Sequence, residues 1–236
     1  MNVKVLSLLF ITLVIGLSAC KKNNDAPAAT PPASNLNVVN AYVDTVNVYL
    51  NGTRQNTGNN LYPSTLTGYF KVASGTQSFQ FKTAFNKNTN ELKDLFATSL
   101  KLDSGGYKSL FVAGATSDKT FTTTDGFTPQ TDTLGVLAYV RFVNASPDEG
   151  SFNMNVNDSV KLENLQFKQA SEFAAVVVDK TGMVKINVYP SGSSTSIISG
   201  KVALQIGQPY TFYLKGSKNS AGAFKLGLGS FLNIFD

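Results

Sequence analysis

Residues 140–158, VRFVNASPDEGSFNMNVND, repeat a pattern that the chain has already used once, in residues 36–52, LNVVNAYVDTVNVYLNG. In both segments a hydrophobic run ends in Val-Asn-Ala, a short polar break follows, and a second run alternates apolar and polar residues. Alternation with a period of two predicts a half-buried β-strand. The two segments therefore predict the same strand–turn–strand unit at two places in the chain.

The similarity continues beyond these openings. Asn40 and Asn144 are 104 positions apart, and residues 102–114, LDSGGYKSLFVAG, resemble residues 204–216, LQIGQPYTFYLKG, at an offset of 102. A nearly constant offset across distant landmarks indicates a tandem duplication. We predict an all-β fold of two tandem antiparallel β-sandwich domains, immunoglobulin-like or transthyretin-like, with about seven short strands each.

Alternating segments are spread over both copies. They are residues 46–50, 78–82, 184–188 and, in part, 211–215. Asn51-Gly52 follows the first of them and predicts a tight hairpin turn. Residues 86–96, NKNTNELKDLF, fit either a short helix or a long hairpin loop. The C-terminal residues 224–236 read as the closing strand of the second domain.

The N-terminus, MNVKVLSLLFITLVIGLSAC, has the order of a secretory signal peptide: Lys4, a mostly apolar run over residues 5–17, then small residues. Thirteen helical residues reach about 20 Å, which is short of the roughly 30 Å hydrocarbon core of a bilayer. The length favours a cleaved signal peptide over a membrane-spanning anchor.

Residues 17–20, LSAC, resemble the lipobox of bacterial lipoproteins. The resemblance implies cleavage after Ala19, lipidation of Cys20 and attachment to the membrane through acyl chains on Cys20. Cys20 is the one cysteine of the chain, so the exported part has no disulfide. The alternative is a plain signal peptide with an incidental cysteine. We expect a cell-envelope lipoprotein of the outer membrane, on either its periplasmic or its surface face.

Composition changes mark the expected boundaries. Residues 21–35, KKNNDAPAATPPASN, are polar and rich in Pro and Ala, which is typical of a flexible tether. Residues 117–133 are Thr-rich and weakly periodic. The expected organisation is a lipoprotein signal peptide over 1–19, a disordered tether over 20–35, a first repeat over 36–116, a linker over 117–133 and a second repeat over 134–236.

Residues 140–148, VRFVNASPD, resemble the opening V-R-V-V-H-A-S-P-D of the family catalogued as domain of unknown function 4397. Asn144 stands where His is common in that family, and the first copy keeps Asn40-Ala41 and Asp44 without the Ser-Pro pair. The resemblance covers nearly all of the chain after the tether, as two copies, and implies a fold without an activity. The lipobox and the low Arg content also resemble lipoproteins of Bacteroidota.

The composition excludes several kinds of chemistry. The chain has no His, which removes Ser-His and Cys-His nucleophile systems and His-based metal sites. The net charge of +5 comes from scattered Lys and two Arg, so we expect no nucleic-acid partner.

Three carboxylates, Asp44, Asp148 and Glu149, follow the two Val-Asn-Ala segments. They fit a calcium site or an acid–base pair, because hard cations prefer oxygen ligands. They also fit turn chemistry, because Asp after a strand bonds its own backbone. The dense acidic loop of a calcium-binding hand is missing from the sequence, so we favour turns and expect no catalytic residue, cofactor or metal.

These features predict a lipid-anchored, non-enzymatic binding or scaffold module with a protein or glycan ligand. One alternative is an adhesin or fimbria-associated subunit, which requires a free strand for exchange between molecules. A further alternative is a glycan-active enzyme with two carboxylates about 5–10 Å apart. Most of the 17 Phe and 9 Tyr are expected in the cores, although an exposed Tyr could stack on a sugar.

Overall fold

The computed structural model describes residues 32–84, 92–147, 150–218, 220, 222 and 225–235. The predicted signal peptide, Cys20, most of the tether, Asp148 and Glu149 lie outside these residues. The described residues belong to one compact unit, Pro32–Asp236. In these parts of the chain no helix has the length and apolar character needed to cross a bilayer.

The described residues form sixteen strands, eight in each repeat, where the sequence suggested about seven. The strands of the first repeat are β1 (Ala33–Asn40), β2 (Val46–Leu50), β3 (Thr53–Arg54), β4 (Phe70–Ala73), β5 (Gly75–Thr83), β6 (Asp94–Leu102), β7 (Tyr107–Val112) and β8 (Thr120–Thr124). The strands of the second repeat are β9 (Leu137–Asn144), β10 (Ser151–Val156), β11 (Val160–Gln166), β12 (Ala174–Val177), β13 (Met183–Pro190), β14 (Ile198–Ala203), β15 (Pro209–Lys215) and β16 (Gly227–Leu232). A short 3-10 helix, Ser117–Lys119, precedes β8.

The strand order confirms the duplication. The first repeat has two four-stranded sheets, β4-β1-β7-β8 and β3-β2-β5-β6, and the second has β12-β9-β15-β16 and β11-β10-β13-β14, which is the same order eight strands later. The sheets are not purely antiparallel, because β1 pairs parallel with β7 and β9 pairs parallel with β15. The predicted all-β fold of two tandem sandwich units is confirmed.

Three hydrophobic clusters hold these sheets together. Each repeat has its own core between its two sheets. A third cluster joins the repeats through the sheets β4-β1-β7-β8 and β12-β9-β15-β16, which we call the facing sheets; the other two are the outer sheets. Its buried members are Val39, Ala41, Phe111, Ala113, Val143, Ala145, Tyr213 and Phe231. The repeats therefore stack as four layers, with the facing sheets in the middle.

This stacking explains why VRFVNA does not alternate. Val140 and Phe142 of β9 lie in the core of the second repeat, whereas Val143 and Ala145 lie in the shared cluster. Strands that are buried on both faces read as continuous apolar runs. The strand that begins each repeat is therefore covered on both faces, and so are its parallel neighbours β7 and β15.

The predicted linker over 117–133 is wrong in its first half. Residues 120–124 form β8, which pairs with β7, and Asp125 is fully buried. The connection between the repeats is residues 126–136, and the Asp132 carboxylate orders it by accepting hydrogen bonds from the backbone of Gly135 at 2.8 Å and Leu137 at 2.7 Å. These backbone hydrogen bonds hold the pKa of Asp132 below its usual value.

Two other boundaries shift for the same reason, namely strand pairing. Residues 33–35, assigned to the tether, belong to β1 and pair with β4. Residues 94–96, assigned to a helix or a hairpin loop, belong to β6, which pairs antiparallel with β5. Residues 86–91 of that segment lie outside the described residues, and residues 92–93 are described but belong to no strand. The C-terminal segment forms β16, which pairs with β15 of its own repeat as expected.

Candidate functional site

The two Val-Asn-Ala segments have one structural role. The Asn40 side-chain amide donates to the backbone oxygens of Leu61 and Asp44, both at 2.8 Å, and the Asn144 amide donates to the backbone oxygen of Leu165 at 3.0 Å. Each side-chain oxygen accepts from the backbone nitrogen two residues further on. Both side chains are fully buried. They therefore tie the end of the first strand to the loop at Leu61 in the first repeat and to β11 in the second, and neither is available to a ligand.

The predicted acidic positions do not form a site among the described residues. Asp44 is exposed, and its carboxylate accepts a hydrogen bond from the Thr45 backbone at 2.7 Å, as expected for a turn. Asp148, Glu149 and Cys20 lie outside the described residues. Within the described ranges, no group of three or more His, Cys, Asp or Glu side chains is placed to hold a metal ion.

A buried ion pair joins the two facing sheets. The Arg141 guanidinium contacts the Asp125 carboxylate, and it also donates to the Thr211 hydroxyl at 2.8 Å and to the Thr124 backbone oxygen at 2.9 Å. Asp125 is 0% and Arg141 is 2% exposed. The Phe173 ring lies 4.9 Å from the guanidinium carbon and covers it. The buried guanidinium is tolerated because a carboxylate, a hydroxyl and a backbone oxygen replace the water that it loses.

Hydroxyl and amide groups complete this cluster. Asp125 accepts from Ser109 at 2.5 Å and from the Tyr69 hydroxyl at 2.6 Å, and the Tyr69 oxygen accepts from the Asn233 amide at 2.9 Å. Burial, followed by the charge of Asp125, raises the pKa of Tyr69 well above its usual value. The polar groups satisfy one another across the repeats, so we interpret the cluster as a lock between them.

An open groove lies at one edge of the first repeat. It has a volume of about 660 Å³ and is lined by residues 55–62, 65–67 and Phe70. The lining segments run along β2 of the outer sheet and along β1 of the facing sheet, to which they are tied at Leu61 and Leu66. The groove is therefore the gap between the two sheets of one sandwich, on the side where both sheets end.

The groove exists because the two copies differ in length at this point. Residues 51–61 read NGTRQNTGNNL, whereas the equivalent residues 157–165 read NDSVKLENL and are two residues shorter. In the second repeat that segment forms the seven-residue β11, and its Leu162 and Leu165 are buried in the core. In the first repeat β3 has two residues. The extra length leaves the sandwich edge open.

Asparagine side chains hold the groove wall in place. Asn56 accepts a hydrogen bond from the Val48 backbone at 3.0 Å, where a strand partner would bond, and donates to the Asn47 side chain at 2.8 Å. The Arg54 guanidinium donates to Asn47 at 2.6 Å and to Asn60 at 2.9 Å. The wall therefore has a fixed shape that does not rely on a β-ladder.

The groove surface combines neutral polar groups with one aromatic ring. None of the described residues that line it is charged. Tyr62 is 54% exposed and, among the described residues, is the one large aromatic side chain with that exposure. None of the sequence motifs predicted this site. The length difference between the copies was the available signal, because an insertion between equivalent strands has to leave the sheet.

The comparisons with known proteins agree with the repeat structure. The family model described as Domain of unknown function (DUF4397) matches residues 34–134 and 138–227. The first match runs past β8 and the second begins inside β9, so the division between them falls in the connection found in the structure. No curated protein matches the chain. The chain therefore belongs to the DUF4397 family and carries two copies of its domain.

Proposed function

We propose that this protein is a lipid-anchored cell-envelope protein that acts as a non-catalytic binding module, with the groove of the first repeat as its ligand site. One observation carries the proposal: two copies share eight strands in one order, and the edge that β11 closes in the second copy is open in the first. A preformed concave surface of several hundred Å³ is typical of ligand sites.

The anchoring part of the proposal rests on the sequence. Residues 17–20 have the lipobox pattern, and the tether that follows would hold Pro32 away from an outer-membrane surface. Intact mass spectrometry of the N-terminal peptide tests this part. We expect a chain that begins at Cys20 with acyl groups attached, and an unmodified Cys20 would refute the anchor.

Binding without turnover fits the chemistry of the groove. Of the described residues that line it, none is Asp or Glu, whereas a glycan hydrolase of the usual type needs two carboxyl groups about 5–10 Å apart. The chain also has no His to act as a general base near neutral pH. A binding role therefore fits the groove better than a carboxylate-dependent hydrolase, because binding needs no catalytic carboxyl pair.

The adhesin alternative has less support. β1 pairs with β4 and β7, and β16 pairs with β15, so the first and last described strands are both used within their own repeats. Strand donation between molecules needs a strand without such partners.

A blocked groove tests the binding role. Gly58 lines the groove, and a Cβ atom added there would meet no atom within 4 Å, so we expect Gly58→Trp to fold and its indole ring to fill the groove. The chain 21–236, which keeps the whole compact unit, is immobilised and exposed to envelope extract, and each retained component is then titrated against the purified chain. We expect direct binding that Gly58→Trp removes. Equal binding by both chains, or reproducible turnover of a retained component, would overturn the proposal.

A further inference from the structure

We propose that the groove of the first repeat takes an uncharged oligosaccharide, with the ring of Tyr62 as the face on which a sugar stacks. This inference rests on the proposed function and names the class of ligand for the same site. It follows from the charge, the hydrogen-bonding groups and the backbone shape of the groove.

The charge of the lining selects against ionic ligands. The described lining residues are uncharged, although the whole chain has a net charge of +5. The nearest guanidinium, that of Arg54, is tied to Asn47 and Asn60. An anionic ligand would lose part of its hydration in the groove without gaining an ion pair, whereas a neutral ligand leaves no unpaired charge there.

The polar groups suit hydroxyl-rich ligands. Thr57 and Asn59 line the groove and are exposed. A hydroxyl and an amide each both donate and accept hydrogen bonds, as sugar hydroxyls do. Tyr62, between them and Thr65, adds an exposed ring, and a ring of this kind combines a large apolar face with a polar tip. Alternating apolar and hydroxyl surfaces are what a pyranose presents.

A peptide fits the backbone of the groove less well. Added strands need a run of free, extended backbone on the sheet edge. β3 offers two residues, and the Asn56 side chain already bonds the Val48 nitrogen next to it. The wall at residues 55–60 is irregular and offers no ladder to an extended chain.

A glycan panel provides the test. The chain 21–236 is screened against matched sets of neutral oligosaccharides (glucose-, mannose-, galactose- and N-acetylhexosamine-based) and acidic ones carrying sialic or uronic acid. The strongest binder is then titrated by calorimetry. We expect it to be neutral, and we expect Tyr62→Ala to weaken it at least about tenfold, because stacking and ring burial are lost together.

Three further variants serve as controls for the Tyr62→Ala measurement. Tyr62→Phe keeps the ring and should stay within about threefold of the parent chain, since one exposed hydroxyl contributes little net binding. Gly58→Trp should abolish binding. Ile206→Ala removes a similarly exposed apolar side chain from the second repeat, 49% exposed in the parent chain, and should leave the affinity unchanged. Thermal unfolding of each variant shows whether the fold is retained.

The outcomes separate this inference from the proposed function. A preference for acidic glycans, or neutral binding that Tyr62→Ala leaves unchanged, overturns the inference. If no glycan binds but a protein or peptide binds directly and Gly58→Trp removes it, the inference fails and the proposed function stands. If nothing binds in a groove-dependent way, both fail.

Discussion

Removing the buried carboxylate between the repeats should cost a large part of the stability of the chain. Asp125→Asn keeps the size of the side chain but leaves the Arg141 guanidinium, 2% exposed, without its countercharge. Breaking a buried pair from one side costs about 3–5 kcal/mol. The same substitution replaces one carboxylate oxygen with an NH2 group, which donates and cannot accept. If the NH2 group takes the position of Oδ2, the hydroxyls of Ser109 and Tyr69 lose their acceptor.

Urea unfolding followed by circular dichroism measures this cost. At about 2–4 °C per kcal/mol for a chain of this size, the midpoint of thermal unfolding should fall by roughly 6–20 °C. Because a shared cluster joins the repeats, the parent chain and the Asp125→Asn variant should each unfold in one transition.

Two further variants test the reasoning behind that number. Arg141→Met alone leaves Asp125 buried and unpaired, and should also be strongly destabilising. The double variant removes both charges, so its loss should be clearly smaller than the sum of the two single losses. A loss below about 1 kcal/mol for Asp125→Asn, or strict additivity, would show that the guanidinium is not held by this pair.

Three other perturbations follow from single contacts. Gly229→Ala would place a methyl carbon 2.3 Å from Cζ of the buried Tyr213, so we expect about 1–3 kcal/mol of destabilisation by urea unfolding, whereas Gly200→Ala, with no atom within 4 Å, should be mild. Burial raises the pKa of Tyr213 to about 12, whereas a tyrosine in the unfolded chain has a pKa near 10. Below pH 10 this group therefore leaves the free energy of unfolding unchanged. From pH 10 to 12 it lowers that free energy by about 1.4 kcal/mol per pH unit, because only the unfolded chain loses the proton. Tyr213→Phe should reduce that alkaline loss, and an unchanged pH profile would contradict the assignment. Asn144→Ala leaves the Leu165 carbonyl without its donor and should cost about 1–3 kcal/mol in the same assay; a neutral result would show that another donor replaces the amide.

The sequence was enough to predict the duplication and several strands of the outer sheets, because a constant offset and a period of two can both be read directly from the order of residues. Residues 46–50 are an example: they alternate, and they form β2 as predicted. Packing between the repeats could not be read in this way, because the period of two reports burial of one face, whereas β9 is covered on both. Arg141 within the apolar run was the available clue, since a charge there requires a buried partner.

The groove was missed for a different reason. Alternation and the Val-Asn-Ala motif are features that the two copies share, whereas the groove comes from residues that only the first copy has. Residues 51–61 contain two more residues than 157–165, and the difference decides whether the edge of a sandwich is closed by a strand or left open.

The ion pair between the facing sheets also makes the two copies unlike each other. Asn37 of β1 occupies the place that Arg141 has on β9, and Asn233 after β16 occupies the place that Asp125 has after β8. Two first repeats packed face to face would bury two aspartates without a cation, and two second repeats would bury two arginines without an anion. Each copy is thus complementary to the other and mismatched with itself, so self-association through this face is discouraged while the correct intramolecular docking is selected.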